Sequence, residues 1–329
     1  MTRVVRFHRH GGPEVLRIEE AGPREPGPGE IRICVKALGL NRAEALMRAG
    51  TYIETPALPS GLGLEAAGLV EKLGEGVEGF ALGDAVSVVP PISMERFPAY
   101  GELATFPAQL VVRHPQSLGF EEAAAAWMMF VTAYGALIEI AKLRKDEAVI
   151  ITAASSSVGL AAIQIANLIG ATPIAVTRTS AKRKALLAAG AANVVATAQE
   201  DLVSRVDEIT GGRGARVVLD AIGGAIVVPL TAAMSRGGIL IAYGALSPEP
   251  TPFPLFTALS KTLTLRGYLV HEIVADRTRL EAAKAFILRG LADGALKPVI
   301  ARTFRFDEIV EAHRYLESNE QFGKIVVAV

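Results

Sequence analysis

The strongest constraint on the fold is a short buried strand that runs directly into a turn of small residues and then a helix. Ala148-Val149-Ile150-Ile151-Thr152 is a continuous apolar run, as expected of a parallel strand covered on both faces. The turn Ala153-Ala154-Ser155-Ser156-Ser157 follows, and between Val158 and Ile169 only Gln164 and Asn167 are polar. The alternation continues with strands at 173–177, 193–196, 216–220 and 239–243, separated by helices at 180–189, 200–210 and 225–235. Residues 262–266 read as a sixth strand. This βαβ series predicts an α/β fold built on a Rossmann-type, doubly wound parallel sheet.

The chain on either side has a different grammar. Ile31, Ile33 and Val35 alternate with Arg32, Cys34 and Lys36, the period-two pattern of a half-buried strand. Further strands at 67–73, 85–89 and 103–112 are separated by glycine-rich turns, with one short helix at 43–49. Many short strands with few helices predict a barrel-like β domain. The tail reads as helix 278–293, strand 299–304, helix 307–318 and strand 324–329, without a phosphate loop of its own. The expected layout is a catalytic domain made of 1–124 and 268–329, with a nucleotide-binding domain, 125–267, inserted between them.

Composition excludes several functions. Lys+Arg and Asp+Glu each number 34, so no basic surplus marks a nucleic-acid binder. Residues 125–267 hold 13 basic and 9 acidic side chains, enough to suit an anionic cofactor but not a polyanion. The apolar stretch Ala123–Ile140 is interrupted by Thr132, Tyr134, Gly135 and Glu139, which favours a buried helix over a membrane span. Met1–Arg6 reads as a strand and not as a signal segment. The single cysteine, Cys34, excludes an internal disulfide framework and fits a reducing cytoplasm.

The turn after the first parallel strand is the main candidate site. A helix N-terminus presents free amides and a positive dipole end to a pyrophosphate, and small residues let the phosphates approach. Ala154, Ser155, Ser156, Ser157 and Val158 are the candidate ligands; the alternative is a serine-rich cap on an ordinary helix, since the strict G-x-G-x-x-G spacing is absent. The second strand selects the nucleotide. An NAD-selective site carries a carboxylate ~20 residues past the loop. Here Thr177 is followed by Arg178, Thr179, Ser180, Ala181 and Lys182, with no acid. Arg178 and Lys182 suit the 2′-phosphate of NADPH.

These segments, together with four others, resemble the quinone oxidoreductase and zeta-crystallin branch of the medium-chain dehydrogenases/reductases. The others are Gly39-Leu40-Asn41-Arg42-Ala43-Glu44, similar to the branch's G-x-N-x-x-D; Gly50-Thr51-Tyr52 with Pro59–Gly68; Thr132-Ala133-Tyr134; and Gly237-Gly238-Ile239 leading to Gly244. The resemblance implies a GroES-like catalytic domain, a Rossmann domain and a cleft between them for NADPH and substrate. It implies that Asn41 lies near the nicotinamide or its ribose, that Thr132 bonds the nicotinamide side, and that Ser155 to Val158 hold the pyrophosphate. It further implies that Lys182 meets the 2′-phosphate, that Gly244 closes over the cofactor, and that Lys324 contacts it. Zinc-dependent relatives carry Cys where this chain has Asn41, and G-H-E where it has Gly63-Leu64-Glu65, so no metal is expected.

Without zinc, a quinone or related conjugated carbonyl has to be polarised by hydrogen bonds while hydride leaves NADPH. Tyr52 is the candidate donor, with Asn41 beside it; the competing reading packs Tyr52 under the Pro56–Pro59 turn. Trp127, Met128, Phe130, Phe253 and Phe256 line an apolar pocket or belong to core and subunit interface. The five histidines show no ligand spacing and are assigned no chemistry. Rival readings are a 2-alkenal or enoyl reductase, an alcohol dehydrogenase-like enzyme, and an NADPH-binding structural or RNA-binding protein. The expected sheet edge at 239–243 and 262–269 predicts a homodimer.

Overall fold

A computed structural model describes all residues, Met1–Val329. The strands in chain order begin with β1 (Thr2–Phe7), β2 (Leu16–Ala21), β3 (Glu30–Gly39), β4 (Glu65–Leu73), β5 (Ala85–Val88), β6 (Leu103–Pro107) and β7 (Val111–Arg113). They continue with β8 (Ala148–Ile151), β9 (Thr172–Thr177), β10 (Asn193–Ala196), β11 (Ala215–Asp220), β12 (Met234–Ala242) and β13 (Thr264–Gly267). The last two are β14 (Ile300–Arg305) and β15 (Lys324–Ala328). Two compact units contain them. One comprises Met1–Met129, Leu288–Ala292 and Lys297–Val329; the other comprises Phe130–Ile287 and Asp293–Leu296.

The first unit is built on a seven-stranded sheet in the order β14-β15-β3-β4-β5-β7, with β6 pairing β3. Strand β3 is its hub, bonded in register to β4, β6 and β15. Its alternate residues Ile31, Ile33 and Val35 are buried, as their period requires. They enter a core with Phe7, Leu38, Met47, Phe106, Phe304 and Val327. The predicted strand 103–112 divides into β6 and β7 around a short 3-10 turn after Pro107, whose ring leaves no N–H for the ladder.

The second unit holds a six-stranded, all-parallel sheet in the order β10-β9-β8-β11-β12-β13. The order reverses between β8 and β11, which is where a doubly wound sheet opens a ligand crevice at its strand ends. The predicted helix at 225–235 is shorter, a 3-10 turn leading into Val227–Ala232, and β12 starts at Met234. Gly237 and Gly238 interrupt the apolar run and hide this early start; the sheet absorbs them as a shift in register between β11 and β12. Residues 268–287 belong to this unit, whereas the sequence reading groups them with the tail. Phe286 packs on Tyr134 with ring centroids 5.3 Å apart, and Arg279 pairs with Glu139 at 3.5 Å.

The apolar helix Phe120–Tyr134, continued by a looser π-helical turn Gly135–Ile140, is long and apolar enough to cross a membrane, but most of it is buried inside the protein. Trp127, Phe130 and Met129 are core residues, and Met128 packs partly buried against the core. Phe253 and Phe256, at 64% and 84% exposure, are surface residues.

Candidate active site

The two units carry separate polar constellations.

In the second unit, β8 ends at Ile151 and the chain turns through Thr152–Ser155 into the helix Ser157–Ile169. Ser156 caps that helix, its hydroxyl accepting from Gly159 N at 3.1 Å. Gly159 has no alternative here, because a Cβ would lie 2.6–2.7 Å from the Ala154 backbone. Ala153 holds the turn in a left-handed conformation, φ 45°. The remaining first-turn amides have no side-chain cap, which leaves them for an anion.

The crevice floor is tied across the point of reversal. Asp220, buried at the end of β11, accepts from Thr152 Oγ1 at 2.7 Å and from the amides of Ile222 and Gly223 at 3.0 and 2.9 Å. Thr152 Oγ1 accepts in turn from Ala221 N at 2.9 Å. Tyr243, just beyond β12, is half-buried, and desolvation holds its phenol well above the usual range. Sequence reasoning assigns nothing to Asp220 or Tyr243, since neither lies in a recognisable spacing. Gly244 follows β12 on the surface, and Thr132 is buried in the helix Phe120–Tyr134.

Thr177 ends β9 half-buried, and Arg178 beyond it is exposed and outside any ion pair. Lys182 turns back to the phosphate loop, Nζ donating to Ser155 Oγ at 3.2 Å. Arg183 is already committed, to Val194 O at 2.7 Å and to Glu200. A neutral loop with one lysine drawn to it, one open arginine and no carboxylate fits the phosphates of a dinucleotide, including a 2′-phosphate.

The first unit gathers Asn41, Glu44, Glu65, Tyr100, His313 and Lys324. All are at most 8% exposed. Asn41 precedes the helix Arg42–Ala49, and Glu44 reaches back to accept from Asn41 N at 2.7 Å, the reciprocal bond of a capping box. Glu44 also accepts from Leu64 N at 3.0 Å and from the Tyr100 hydroxyl. Burial pushes its carboxyl up to about 7, against the opposing pull of Tyr100 and the Asn41 amide. Tyr100 stands edge-on to His313, whose Nε2 lies 3.3 Å from its hydroxyl. Burial, with Arg48 and Arg42 nearby, drives His313 down to about 3 and keeps it neutral. This is the one histidine with a site-like environment, and its sequence neighbours give no sign of it.

Lys324, at the start of β15, is 1% exposed and paired with the fully buried Glu65. Its stem passes over Gly39, where a Cβ would meet Lys324 Cε at 2.9 Å and Ala124 O at 2.2 Å. Glu65 further accepts from Met128 N at 2.7 Å. Lys324 Nζ donates to Asn41 Oδ1 at 2.6 Å and to Glu65, so its ammonium is committed within the unit. Tyr52 lies half-buried beyond the helix Arg42–Ala49 and packs against the core; burial, with Glu54 and Glu44 nearby, pushes its phenol up to about 12.

Residues 27–151 match the alcohol dehydrogenase GroES-like domain, and residues 157–288 match the zinc-binding dehydrogenase family. Quinone oxidoreductase 1 of Escherichia coli is 34% identical over 331 residues, 98% of either chain. The chain belongs to the quinone oxidoreductase family of medium-chain dehydrogenases/reductases. Another relative, the 2-haloacrylate reductase of a Burkholderia species, is 29% identical over 99% of both chains. The crystal structure of Escherichia coli quinone oxidoreductase complexed with NADPH superimposes with a TM-score of 0.91, at 32% identity, over 99% of this chain and 100% of that one. The family fold, a GroES-like domain with a Rossmann domain, is the one described above.

Proposed function

We propose that this protein oxidises NADPH and delivers the hydride, with a proton, to a quinone or related conjugated carbonyl, and that it does so without zinc in the cytoplasm. The observation that carries the reading is the donor set after β9. Arg178 is open, Lys182 is turned to Ser155, and no carboxylate is present to select NADH. Full-length similarity to quinone oxidoreductases, one of them in complex with NADPH, supports it.

Bound NADPH supplies the hydride. The amides of Ser155 to Val158 hold the pyrophosphate, and Arg178 and Lys182 hold the 2′-phosphate. Thr132 and Gly244 bracket the nicotinamide side. Tyr52 stays a neutral phenol across the working pH range, so it donates a hydrogen bond to the substrate carbonyl throughout. Ion-paired Lys324 supplies the buried cation of the cluster around Asn41. An NADPH-oxidation panel of quinones, enones and aldehydes tests the reading, with and without chelator. Quinones should be turned over fastest and the chelator should change nothing; activity lost together with one bound zinc per chain would reject it. Faster turnover of enones or haloacrylates would favour the second reading, a conjugated-alkene reductase, which the Burkholderia relative supports.

We also infer a homodimer formed through β13. This strand is the open edge of its sheet, and Phe253, Leu255, Phe256 and Leu259 nearby are 50–84% exposed. Pairing would cover both the free ladder and the apolar side chains. Light scattering at micromolar concentration should give twice the 34.6 kDa chain mass, and a monomer would refute the dimer.

A further inference from the structure

Four carboxyl side chains are buried in this protein, those of Glu30, Glu44, Glu65 and Asp220. Three of them have a cation at hand. Arg24 bonds Glu30 at 2.7 Å, Lys324 pairs with Glu65, and the same lysine acts on Glu44. Asp220, at 0% exposure, is in no ion pair. Its oxygens accept instead from Thr152 Oγ1 and from the amides of Ile222 and Gly223. Three donors on two oxygens is the pattern of a carboxylate anion. A buried charge without a counterion is costly, and the tie between β8 and β11 does not require one. A neutral amide side chain would accept two of the three bonds at lower cost, so it is the charge that needs a reason.

The place of Asp220 in the sheet supplies one. A dinucleotide lies across the point where the strand order reverses, with its pyrophosphate on the helix after the first strand. Arg178 and Lys182, after β9, mark the adenosine side of that point. The nicotinamide side is then the opposite one, over the ends of β11 and β12, and Asp220 ends β11 beside the reversal. Its carbonyl oxygen also accepts from Tyr243 N at 2.9 Å, which joins it to β12. Arg266, near the end of β13, is balanced by Glu272, so Asp220 is the uncompensated charge at the carboxyl ends of this half-sheet.

Loss of hydride takes the nicotinamide ring from neutral to a charge of +1. We propose that Asp220 is an electrostatic partner of that ring, stabilising the oxidised, cationic cofactor over the reduced, neutral one. Bound NADPH is thereby a stronger hydride donor than free NADPH would be at a site without the charge. The proposal rests on the NADPH reading above and deepens it. At an effective dielectric of about 20, a unit charge about 10 Å away is worth a factor of roughly 10 to 20 between the two redox states. That factor lowers the two-electron potential of the bound couple by roughly 30–40 mV.

The test is calorimetric titration of wild type, Asp220→Asn and Thr152→Val with NADP+ and with NADPH at neutral pH. Removing the charge should weaken NADP+ roughly 10- to 20-fold more than NADPH. Thr152→Val keeps the charge and breaks the tie, so whatever it costs should be the same for both cofactors. Equal losses, or none, in Asp220→Asn would overturn the proposal. So would a change of the ratio in Thr152→Val as large as that in Asp220→Asn, since the ratio would then follow the tie and not the charge. Should Asp220→Asn not fold, the wild type answers with the benzamide analogue of NADP+, in which carbon replaces the ring nitrogen and the planar ring is uncharged. NADP+ should bind roughly 10- to 20-fold more tightly than this analogue, and equal or weaker binding would overturn the proposal. A wild-type protein that binds neither NADP+ nor NADPH would instead bring down the functional reading itself.

Discussion

The phosphate loop of the second unit and the buried cluster of the first are assembled in opposite ways. The loop draws its groups from consecutive residues, 154–158, and from two cations within five residues of each other. Its binding groups are half-exposed, and Arg178 has no protein ion-pair partner. The cluster draws on residues 41, 44, 65, 100, 313 and 324, carries its charges at 0–1% exposure, and satisfies them internally. The loop's groups are open to a ligand and add little to stability. The cluster's groups hold one another.

That contrast can be broken most forcefully at the ion pair. Removing one partner of a buried pair leaves an uncompensated charge, so Glu65→Ala should cost about 3–5 kcal/mol of unfolding free energy. Arg178→Ala, at an exposed and unpaired site, should stay within about 0.5 kcal/mol. Chemical denaturation of both variants measures the difference, and similar losses would erase the distinction between the two regions.

Glu44 sharpens the same point through pH. Its folded pKa of about 7 lies above the unfolded value near 4.5, so the folded state holds the proton more tightly. Stability should therefore be full below about pH 4.5 in this respect and fall as pH rises to 7, by about 3 kcal/mol. Glu44→Gln should abolish that slope. His313 acts in the other sense: its folded value of about 3 lies below the usual 6.5, so stability falls as the pH drops below 6.5, and this acid limb should survive in Glu44→Gln. Denaturant midpoints from pH 4 to pH 8 test both, and an unaltered slope in the glutamine variant would contradict the burial argument.

The smallest free energies belong to the cofactor cations, and they should appear only in binding. Charge-assisted hydrogen bonds are worth ~1.5–3 kcal/mol, so Arg178→Ala or Lys182→Ala should raise the NADPH dissociation constant roughly 10- to 150-fold with NADH nearly untouched. The preference should shrink with salt, since the site is partly exposed. Parallel, small losses for both cofactors would mean that these are ordinary surface charges.

What could be read without coordinates follows from the same contrast. The order of strands β8 to β13, the turn at Ala153–Ser157 and the cations after Thr177 are local patterns, decided by periodicity, side-chain size and charge within about thirty residues. Asn41 and Lys324 were recognisable only as pieces of family motifs, 283 residues apart, and nothing in their spacing says that they touch. Glu65 reads in the sequence only as the residue after a lost metal ligand, and His313 as one of five scattered histidines. Their chemistry arises because β15 returns to pair with β3 and β4 lies along β3's other edge, which brings 41, 65 and 324 into one desolvated volume. Burial then does what no linear pattern encodes: it raises Glu44 and silences His313.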